Sequence, residues 1–250
     1  MRLKELSFGN NPFDGDEDVE LVVICGGDGT INHVVNKMFK KGINPTLGII
    51  PMGTANDFAN ALHMPRRHME AARKILHGTP RNVDCCKVND RYFVNVFSFG
   101  MLTTASQRTP RIAKRHFGKL AYIKTGINDL NNMQSTHVKL TIGDKVIEEN
   151  ILTFLVFNGI TAGRLPLTRN AKIDDGQFDI VILRNRNKVL SYGNIVRYIL
   201  GDNPDDILHI RCSEILVESA DGCITDVDGE RGPRFPLTIT CEHKGLTIKY

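Results

Sequence analysis

The sequence predicts a layered α/β domain followed by a mainly antiparallel β-sandwich domain. In the first third of the chain, short apolar runs alternate with segments of helical periodicity, an order typical of a parallel sheet with helices packed on it. After about residue 80, strand-like segments follow one another across short turn sequences, which favours antiparallel pairing. We therefore expect an N-terminal domain over 1–82 and a β-rich domain over 83–250.

The N-terminal elements are defined by apolar spacing and by glycine and proline. The first helix has one apolar face, on which apolar residues recur from Ile31 to Phe39, and Gly42 ends it. Pro65 separates the two helices that follow. The expected order is a strand at 21–25, the helix that Gly42 ends, a strand at 47–50, and helices at 55–62 and 67–77.

The β-rich part contains two hairpin signals, Asn89-Asp90 and Gly143-Asp144, each between strand-like runs. Two stretches of helical character interrupt the strands. We expect strands at 83–88, 92–99, 138–142, 146–157, 178–183, 207–217 and 237–248, and helices at about 112–130 and 188–200.

Composition and charge exclude several protein classes. The cysteines form no CxxC pair and no zinc-like spacing, which favours reduced thiols in a cytosolic protein. The start lacks an apolar h-region, so we expect no signal peptide, and the longest apolar run, at 151–157, is far shorter than a membrane-spanning helix. The net charge of +4 fits an anionic partner without requiring one, and we expect no nucleic-acid partner.

A glycine-rich segment, which we call the first loop, lies between the first strand and the first helix. It reads Gly26-Gly27-Asp28-Gly29-Thr30, and its glycines allow positive φ and close approach to a ligand. The N–H groups of such a turn and the N-terminal end of the helix both attract an anion. Asp28 would repel phosphate, but it fits if it helps to hold a cation beside the phosphate. Taken alone, the segment also fits a tight strand-to-helix turn.

A second loop, over 53–57, follows the next strand and opens the next helix. Because parallel strands end at the same sheet edge, both loops should face one crevice. Gly53 allows close approach, and Thr54 offers a hydroxyl and an N–H to phosphate. Asn56 or Asp57 would also fit a simple helix cap.

The two loops resemble the catalytic domain of the diacylglycerol kinases, in particular the soluble bacterial lipid kinases. The resemblance begins with GGDGT and PMGTANDFA and covers about residues 20–240. It implies a three-layer α/β domain like that of NAD kinases, which the last C-terminal residues would complete, and a β sandwich. The further matching segments are Asn32 with Asn36, Asp84, Tyr92-Phe93-Val94-Asn95, Ser98-Phe99-Gly100, Asn170-Ala171-Lys172-Ile173-Asp174-Asp175-Gly176 and Asp228-Gly229-Glu230.

The resemblance implies a site for ATP and Mg²⁺. Magnesium is expected at the Asp175 carboxylate and the backbone carbonyls of Lys172 and Gln177, with Asp28 and Asp84 joined through water. By itself, the acidic segment also fits a plain turn before a strand. The expected nucleotide contacts are Gly26, Gly27, Asp28, Gly29, Thr30, Ile31, Asn32, Gly53, Thr54, Asn56 and Asp57.

The same resemblance makes Glu230 the proton acceptor for a lipid hydroxyl and places Asp228 beside the metal and phosphate. An isolated Asp-Gly-Glu would otherwise be a solvated turn. The implied reaction is transfer of the γ-phosphate of ATP to diacylglycerol or a similar lipid. Sphingoid-base kinases carry a GSGNA-like version of the second loop, so Thr54-Ala55-Asn56-Asp57 favours a glycerolipid as the acceptor. The alternatives are a sphingoid base or NAD as the acceptor, or an inactive nucleotide- or lipid-binding remnant.

The chain departs from the family pattern at its N-terminus. The family carries a longer segment before GGDGT, with an NPxSG-like turn near the nucleotide, whereas 25 residues precede Gly26 here. Asn11-Pro12 is too close to Gly26 to be that turn. We therefore expect a shortened sheet with an exposed apolar edge.

A basic segment suggests contact with a membrane surface. Such a segment fits binding to anionic lipid, and it also fits a solvated helix face. We expect a cytoplasmic protein that acts peripherally at the inner face of the membrane, and a homodimer is compatible with the sequence. The segment contains Arg108, Arg111, Lys114, Arg115 and Lys119, with Ile112, Phe117 and Leu120 between them.

Overall fold

The computed structural model describes residues 13, 19–100, 135–159, 168, 171–186, 193–194, 197–198, 200–220 and 222–250, and the backbone at 161–162 and 165–166. An α/β start precedes a strand-rich remainder, which confirms the predicted fold class. The elements are β1 Leu21–Gly26, α1 Asp28–Lys41, β2 Thr46–Pro51, α2 Asp57–Ala61, α3 His68–His77, β3 Pro80–Val88, β4 Arg91–Phe93, β5 Val96–Gly100, β6 Thr136–Ile142, β7 Lys145–Phe157, β8 Thr161–Ala162, β9 Leu165–Pro166, β10 Phe178–Arg184, β11 Ile207–Cys212, β12 Glu214–Glu218, β13 Thr225–Val227, β14 Glu230–Arg231 and β15 Leu237–Lys249.

The first part of the chain is built on the parallel pair of β1 and β2. Gly26 lies opposite Pro51 in this pair, so both strands end at the same edge. α1 buries Ile31 and Val35 at the spacing that the sequence predicts. Gly42 ends α1 in the left-handed conformation, with φ 68°, and its N–H donates back to the helix.

β15 connects the two parts of the fold. It pairs in parallel with β2 through Ile248 and Leu47, and antiparallel with β3 and β12. One end of the strand contributes Ile248 to the core of the α/β part, while Leu237 and Ile239 lie in the core of the β-rich part. The last strand in sequence therefore belongs to both cores, and the boundary after residue 82 stays a prediction.

The β-rich part consists mainly of antiparallel pairs. β6 and β7 form the hairpin that Gly143-Asp144 predicts, and β7 continues between β5 and β10. Phenylalanine rings fill much of the core between the strands, and Phe99 stacks on Phe154 with ring centroids 4.7 Å apart.

Two predicted strands are divided in the structure. The strand expected at 92–99 is split into β4 and β5 by a turn at 94–95. The strand expected at 207–217 is split at Ser213, because β11 pairs with β10 whereas β12 pairs with β15 and β6. The short strands β8, β9, β13 and β14 were not predicted.

The two helices expected within the β-rich part fall largely outside the described residues. In the helix expected at 188–200, positions 193–194, 197–198 and 200 are helical. The helix expected at 112–130 and the basic segment over 108–120 lie outside the described residues. In the described part of the chain, no helix has the length and apolar character needed to cross a membrane.

Candidate active site

The first and second loops meet at the shared end of β1 and β2. A Cβ on Gly27 would lie 2.8 Å from the Gly53 Cα, and a Cβ on Gly53 would lie 2.5 Å from the Gly27 Cα. Only glycine at both positions permits this approach. The Met52 N–H also donates to the Gly26 carbonyl at 2.9 Å. The two loops therefore face each other, as the parallel register requires.

The glycines of the first loop act through their small size. The expectation of positive φ is wrong here: Gly27 has φ −101°, and positive φ occurs at neither Gly26 nor Gly29. The reason is that α1 begins directly at Asp28, and the N–H groups of Thr30 and Ile31 donate to the Gly27 carbonyl. A Cβ on Gly26 would collide with the Thr30 side chain at 2.5 Å.

Asn56 fixes the shape of the second loop and does not cap α2 with its side chain. It has φ 54°, a left-handed conformation that asparagine tolerates. Its Oδ1 accepts the Gly53 N–H and its Nδ2 donates to the Gly53 carbonyl, both at 2.8 Å. Asp57, the first residue of α2, is buried beside it.

Asp28 connects the first loop to two other parts of the site. Its Oδ1 accepts the Phe58 N–H at 3.2 Å, which gives the start of α2 a partner from across the crevice. The same oxygen accepts from Nδ2 of Asn95, in the turn between β4 and β5, at 3.0 Å. A role for Asp28 in holding metal-bound water stays a prediction.

Asp228 holds together the turn between β4 and β5. Its carboxylate accepts the N–H groups of Val94, Asn95 and Val96 at 2.8–3.0 Å. It also accepts a hydrogen bond from Nδ2 of Asn32, which lies on α1 two residues after the first loop, at 2.8 Å. These bonds explain why the backbone leaves the strand at 94–95. Asp228 thus positions the elements around it.

Burial and hydrogen bonding act on Asp228 in opposite directions. The pKa of the Asp228 carboxyl is raised from 3.8 to about 6, because burial, which raises it, outweighs the surrounding N–H donors, which lower it. Both carboxylate oxygens already accept hydrogen bonds from the protein. The predicted position of Asp228 beside a metal and phosphate therefore stays a prediction, and its observed contacts are with backbone and Asn32.

Glu230 lies two residues further, at the start of β14. The backbone reaches it through left-handed residues at Asp228 (φ 50°) and Gly229 (φ 92°). Its side chain is 65% exposed and pairs with Arg91 at 3.0 Å. Arg91 also donates to the Arg231 carbonyl at 2.6 Å, so β4 holds the start of β14 in place. Glu230 is the accessible carboxylate of this turn.

Asp84 organises the acidic segment over 171–177. It is fully buried, and its carboxylate accepts the Gly176 N–H at 2.6 Å, the Lys244 N–H at 2.7 Å and a hydrogen bond from His243 Nδ1 at 2.9 Å. Its own N–H donates to the Ile173 carbonyl at 2.6 Å. Asp84 therefore fixes the backbone of the predicted metal-binding segment through hydrogen bonds at Ile173 and Gly176.

Asp175 carries the carboxylate expected to bind Mg²⁺. With the Lys172 and Gln177 carbonyls it supplies oxygen donors alone, the chemistry that a hard cation prefers. Its Oδ1 accepts the Gln177 N–H at 3.2 Å and its other oxygen pairs with Arg211. Among the residues described, no group of three or more His, Cys, Asp or Glu side chains surrounds a metal position.

Asn158 joins these two regions of the site. Its Nδ2 donates to the Asp84 carbonyl at 2.9 Å and to the Val94 carbonyl at 3.3 Å, and its N–H donates to the Asn95 carbonyl at 3.0 Å. The Cys86 thiol donates to its Oδ1 at 3.4 Å. Asn158 is buried directly after the apolar strand β7. A polar residue at the end of a long apolar run is the sequence signal that marks it.

The predicted site residues thus fall into two connected groups. Asp28, Asn32 and Asp228 share the turn at 94–96, whereas Asp84 and the acidic segment lie on the other side of Asn158. The sequence motifs gave no site role to the residues that make these connections, which are Arg91, Asn95, Asn158, Arg211 and His243.

Comparisons with known proteins match both parts of the chain. A family model described as "Diacylglycerol kinase catalytic domain" matches residues 14–88, and one described as "YegS C-terminal NAD kinase beta sandwich-like domain" matches residues 95–249. A protein named diacylglycerol kinase from Staphylococcus saprophyticus is 35% identical over 229 residues, which cover 88% of this chain and 73% of that protein. One from Bacillus subtilis is 33% identical over 223 residues, which cover 88% and 74%.

Solved structures give the same picture. The crystal structure of a diacylglycerol kinase from Bacillus anthracis has a TM-score of 0.74 at 27% identity and covers 96% of this chain and 79% of that one. A second crystal structure from that organism has a TM-score of 0.80 at 30% identity and covers 93% and 77%. The chain therefore belongs to the diacylglycerol kinase family, in its bacterial branch, and is a lipid kinase that transfers phosphate from ATP to an alcohol group.

Proposed function

We propose that the protein transfers the γ-phosphate of ATP to the hydroxyl of diacylglycerol and gives phosphatidic acid. The observation that carries this proposal is the junction of the two loops with the Asp228 turn. Gly27 and Gly53 are in backbone contact, and Asn95 joins Asp28 to Asp228, two residues before Glu230. The phosphate-facing loops and an accessible carboxylate therefore belong to one network.

The two loops supply backbone and charge for the nucleotide. The 14-residue helix α1 begins at the first loop, and its N-terminal end favours the negative phosphates. Because Gly27 and Gly53 are in contact, the backbone of both loops would approach the same phosphate. Phosphoryl transfer depends mostly on such positioning and on charge stabilisation.

Glu230 supplies the base in this proposal. The lipid oxygen attacks the γ-phosphorus, its proton passes to the Glu230 carboxylate, and the bond between the γ-phosphorus and the leaving oxygen of ADP breaks. An ion pair of 3.0 Å between the Arg91 guanidinium and the Glu230 carboxylate positions this base. The hydrogen bonds of Asp228 fix the turn that leads to Glu230. A positioned base of this kind contributes ~10²–10⁴-fold to the rate.

Mg²⁺ would be held by the Asp175 carboxylate and the Lys172 and Gln177 carbonyls, with Asp28 and Asp84 reaching it through water. When bound, it would neutralise charge near the phosphates. In the same proposal the protein reaches its lipid by peripheral contact with a membrane.

A panel of acceptors tests the proposal. Purified protein is incubated with magnesium and ATP labelled at the γ-phosphate. Parallel reactions contain diacylglycerol in mixed micelles, a sphingoid base in mixed micelles, or NAD in solution. We expect label to enter diacylglycerol with a kcat/KM at least ten times that of the other two acceptors. Preferential labelling of the sphingoid base or of NAD would contradict the proposal and would identify that compound as the acceptor.

A further inference from the structure

Two cysteines lie directly opposite each other on neighbouring strands. Cys86 of β3 and Cys241 of β15 are partners in the antiparallel register of these strands. Residues that oppose each other in this way carry their side chains on the same face of the sheet, with their Cβ atoms close together. Both side chains pack against the core of the β-rich part. The proposed reaction uses neither thiol, so the pair is open to a chemistry of its own.

The hydrogen-bond pattern gives this pair the closer of the two cross-strand geometries. The Cys241 N–H donates at 2.8 Å to the carbonyl of Ser213, the residue before β12, and therefore points away from β3. Cys86 and Cys241 thus form a non-hydrogen-bonded pair, in which the Cα atoms are about 4.5 Å apart. A disulfide spans Cα atoms that are roughly 4.4–6.8 Å apart. The backbone already meets this requirement.

The two thiols differ in access to solvent. Cys86 is fully buried, whereas Cys241 is partly exposed. Burial raises the pKa of the Cys86 thiol well above its usual value, and the neighbouring Cys241 thiol raises it further. Oxidants react with the thiolate form of an accessible cysteine. An oxidant from solution therefore reaches Cys241 first, and Cys86 is the thiol that resolves the intermediate.

A hydroperoxide is the class of oxidant that completes this chemistry. The Cys241 sulfur attacks the terminal oxygen of the hydroperoxide, the O–O bond breaks, and the thiol proton leaves with the other oxygen as an alcohol or water. The Cys86 sulfur then attacks the sulfenic sulfur of Cys241. The S–S bond forms, the S–O bond breaks, and water carries away the Cys86 proton. The electrons lost by the two thiols are those that the hydroperoxide gains.

The Cys86 thiol also contacts the candidate active site. It donates to Oδ1 of Asn158 at 3.4 Å, and both residues are buried. A disulfide sulfur has no hydrogen to donate, so oxidation removes this donor from a buried amide oxygen, which is unfavourable. Nδ2 of the same amide donates to the Asp84 and Val94 carbonyls. A shift of Asn158 therefore reaches both groups of site residues.

We propose that Cys86 and Cys241 form a dithiol that a hydroperoxide converts reversibly to a disulfide, and that this disulfide lowers turnover by removing the hydrogen bond from Cys86 to Asn158. The disulfide itself is independent of the proposed function, whereas its effect on turnover rests on that function.

Peptide mapping tests whether the bond forms. The full chain is reduced, treated with hydrogen peroxide, alkylated and digested with trypsin, which places Cys86 in peptide 82–87 and Cys241 in peptide 235–244. We expect these peptides to be joined, with fragment spectra that assign the bond to Cys86 rather than Cys85, and to separate in dithiothreitol. Oxidation of the exposed Cys25 without this link, or a link through Cys85, would overturn the proposal.

Activity on diacylglycerol tests the consequence of the bond. We expect kcat of wild type to fall roughly fivefold or more after peroxide and to recover in dithiothreitol. Cys241→Ser cannot form the bond, and its kcat should stay within twofold of untreated wild type before and after peroxide. Cys212→Ser is the matched control, because it removes another buried thiol of the same core and should lose activity as wild type does.

Two results would overturn the effect on turnover while the proposed function stands. One is a wild type that carries the disulfide and keeps its kcat. The other is an equal loss of kcat in Cys241→Ser, which would assign the loss to oxidation elsewhere in the chain.

Hydrogen exchange separates the two ideas if wild type phosphorylates no lipid. Reduced and oxidised wild type are compared by mass spectrometry, with Cys241→Ser treated in the same way. Faster exchange at 94–96 in oxidised wild type alone supports the link through Asn158 although the proposed function fails. Unchanged exchange at 94–96 in a chain that carries the disulfide rejects that link as well.

Discussion

At the scale of single residues, packing around the loops is so close that one atom matters. Gly27 and Gly53 are in backbone contact, and a Cβ on Gly53 would also lie 2.7 Å from Asn56 Oδ1. Gly29 differs, because a Cβ there meets nothing within 4 Å in the protein. The three glycines look alike in sequence, but the structure has no room for a side chain at Gly27 and Gly53, whereas it has room for one at Gly29.

Gly53→Ala should therefore destabilise the protein, whereas Gly29→Ala, within α1, should not. We expect a loss of about 1–3 kcal/mol in the free energy of unfolding for Gly53→Ala, the usual cost of forcing extra volume into a packed site. For Gly29→Ala we expect no loss, because alanine favours a helix interior by roughly 0.5–1 kcal/mol over glycine. Urea unfolding of both variants measures the difference, and equal losses would contradict the assigned contacts.

Asp228→Asn isolates the pH dependence of one carboxyl in the site. Because burial raises the pKa of Asp228 from 3.8 to about 6, the folded chain holds this proton more tightly than the unfolded chain. Its contribution to stability is therefore present below pH 3.8 and lost as pH rises through 6. The stability of wild type minus that of the variant should fall by up to about 3 kcal/mol between pH 4 and pH 7.

Urea unfolding of both proteins at several pH values measures that difference. Subtracting the stability of the variant cancels the contributions of all other titrating groups. A difference that grows with pH would mean that the four N–H donors outweigh burial and depress the folded pKa of Asp228.

At the scale of elements, local sequence predicted those whose causes are local. Gly42 ended α1 and Gly143-Asp144 formed the β6–β7 hairpin, as their spacing indicated. The break between β4 and β5 was missed because its cause, Asp228, lies 132–134 residues away in sequence. The same holds for Asn158, whose partners lie on β3 and in that turn.

The candidate site shows the same limit. The loops and the Asp-Gly-Glu segment were visible as motifs, because each is contiguous. The contacts that join them were not, since Asn95 and Arg91 act on residues from distant parts of the chain.

Asn158→Ala should weaken the connection between the two groups of site residues. It removes the side-chain donor to the Asp84 and Val94 carbonyls, and each buried group left without its partner costs about 1–3 kcal/mol. We expect the stability to fall by about 2–4 kcal/mol and kcat to fall at least tenfold. Asn150→Ala is the control, because Asn150 is exposed on β7, the strand that directly precedes Asn158. An equal effect at both positions would contradict the connecting role.

At the scale of the whole molecule, β15 makes the two cores depend on each other. It places Ile248 in one core and Ile239 in the other, and β3 beside it contributes Val83 to the first and Val88 to the second. A strand shared in this way transmits loss of packing from one core to the other.

Ile248→Ala should therefore destabilise both parts of the chain. Removing this fully buried side chain costs about 2–5 kcal/mol. Hydrogen exchange measured by mass spectrometry should show faster exchange in β2 and also in β6–β7, which the residue does not touch directly. Faster exchange confined to β1–β2 and α1 would show that the two cores unfold independently.

The central claim is that the two loops and the Glu230 turn form one site for phosphoryl transfer to a lipid hydroxyl. Glu230→Gln tests it most directly. Glu218→Gln is the control, because Glu218 is another glutamate in an ion pair, 3.1 Å from Lys139, with a side chain that is 44% exposed. Transfer of label from ATP to diacylglycerol and the Kd for ATP are measured for both variants. We predict a ~10²–10⁴-fold lower kcat for Glu230→Gln, with the Kd for ATP within twofold of wild type, and no change for Glu218→Gln. A Glu230→Gln variant that keeps near-normal kcat would contradict the account.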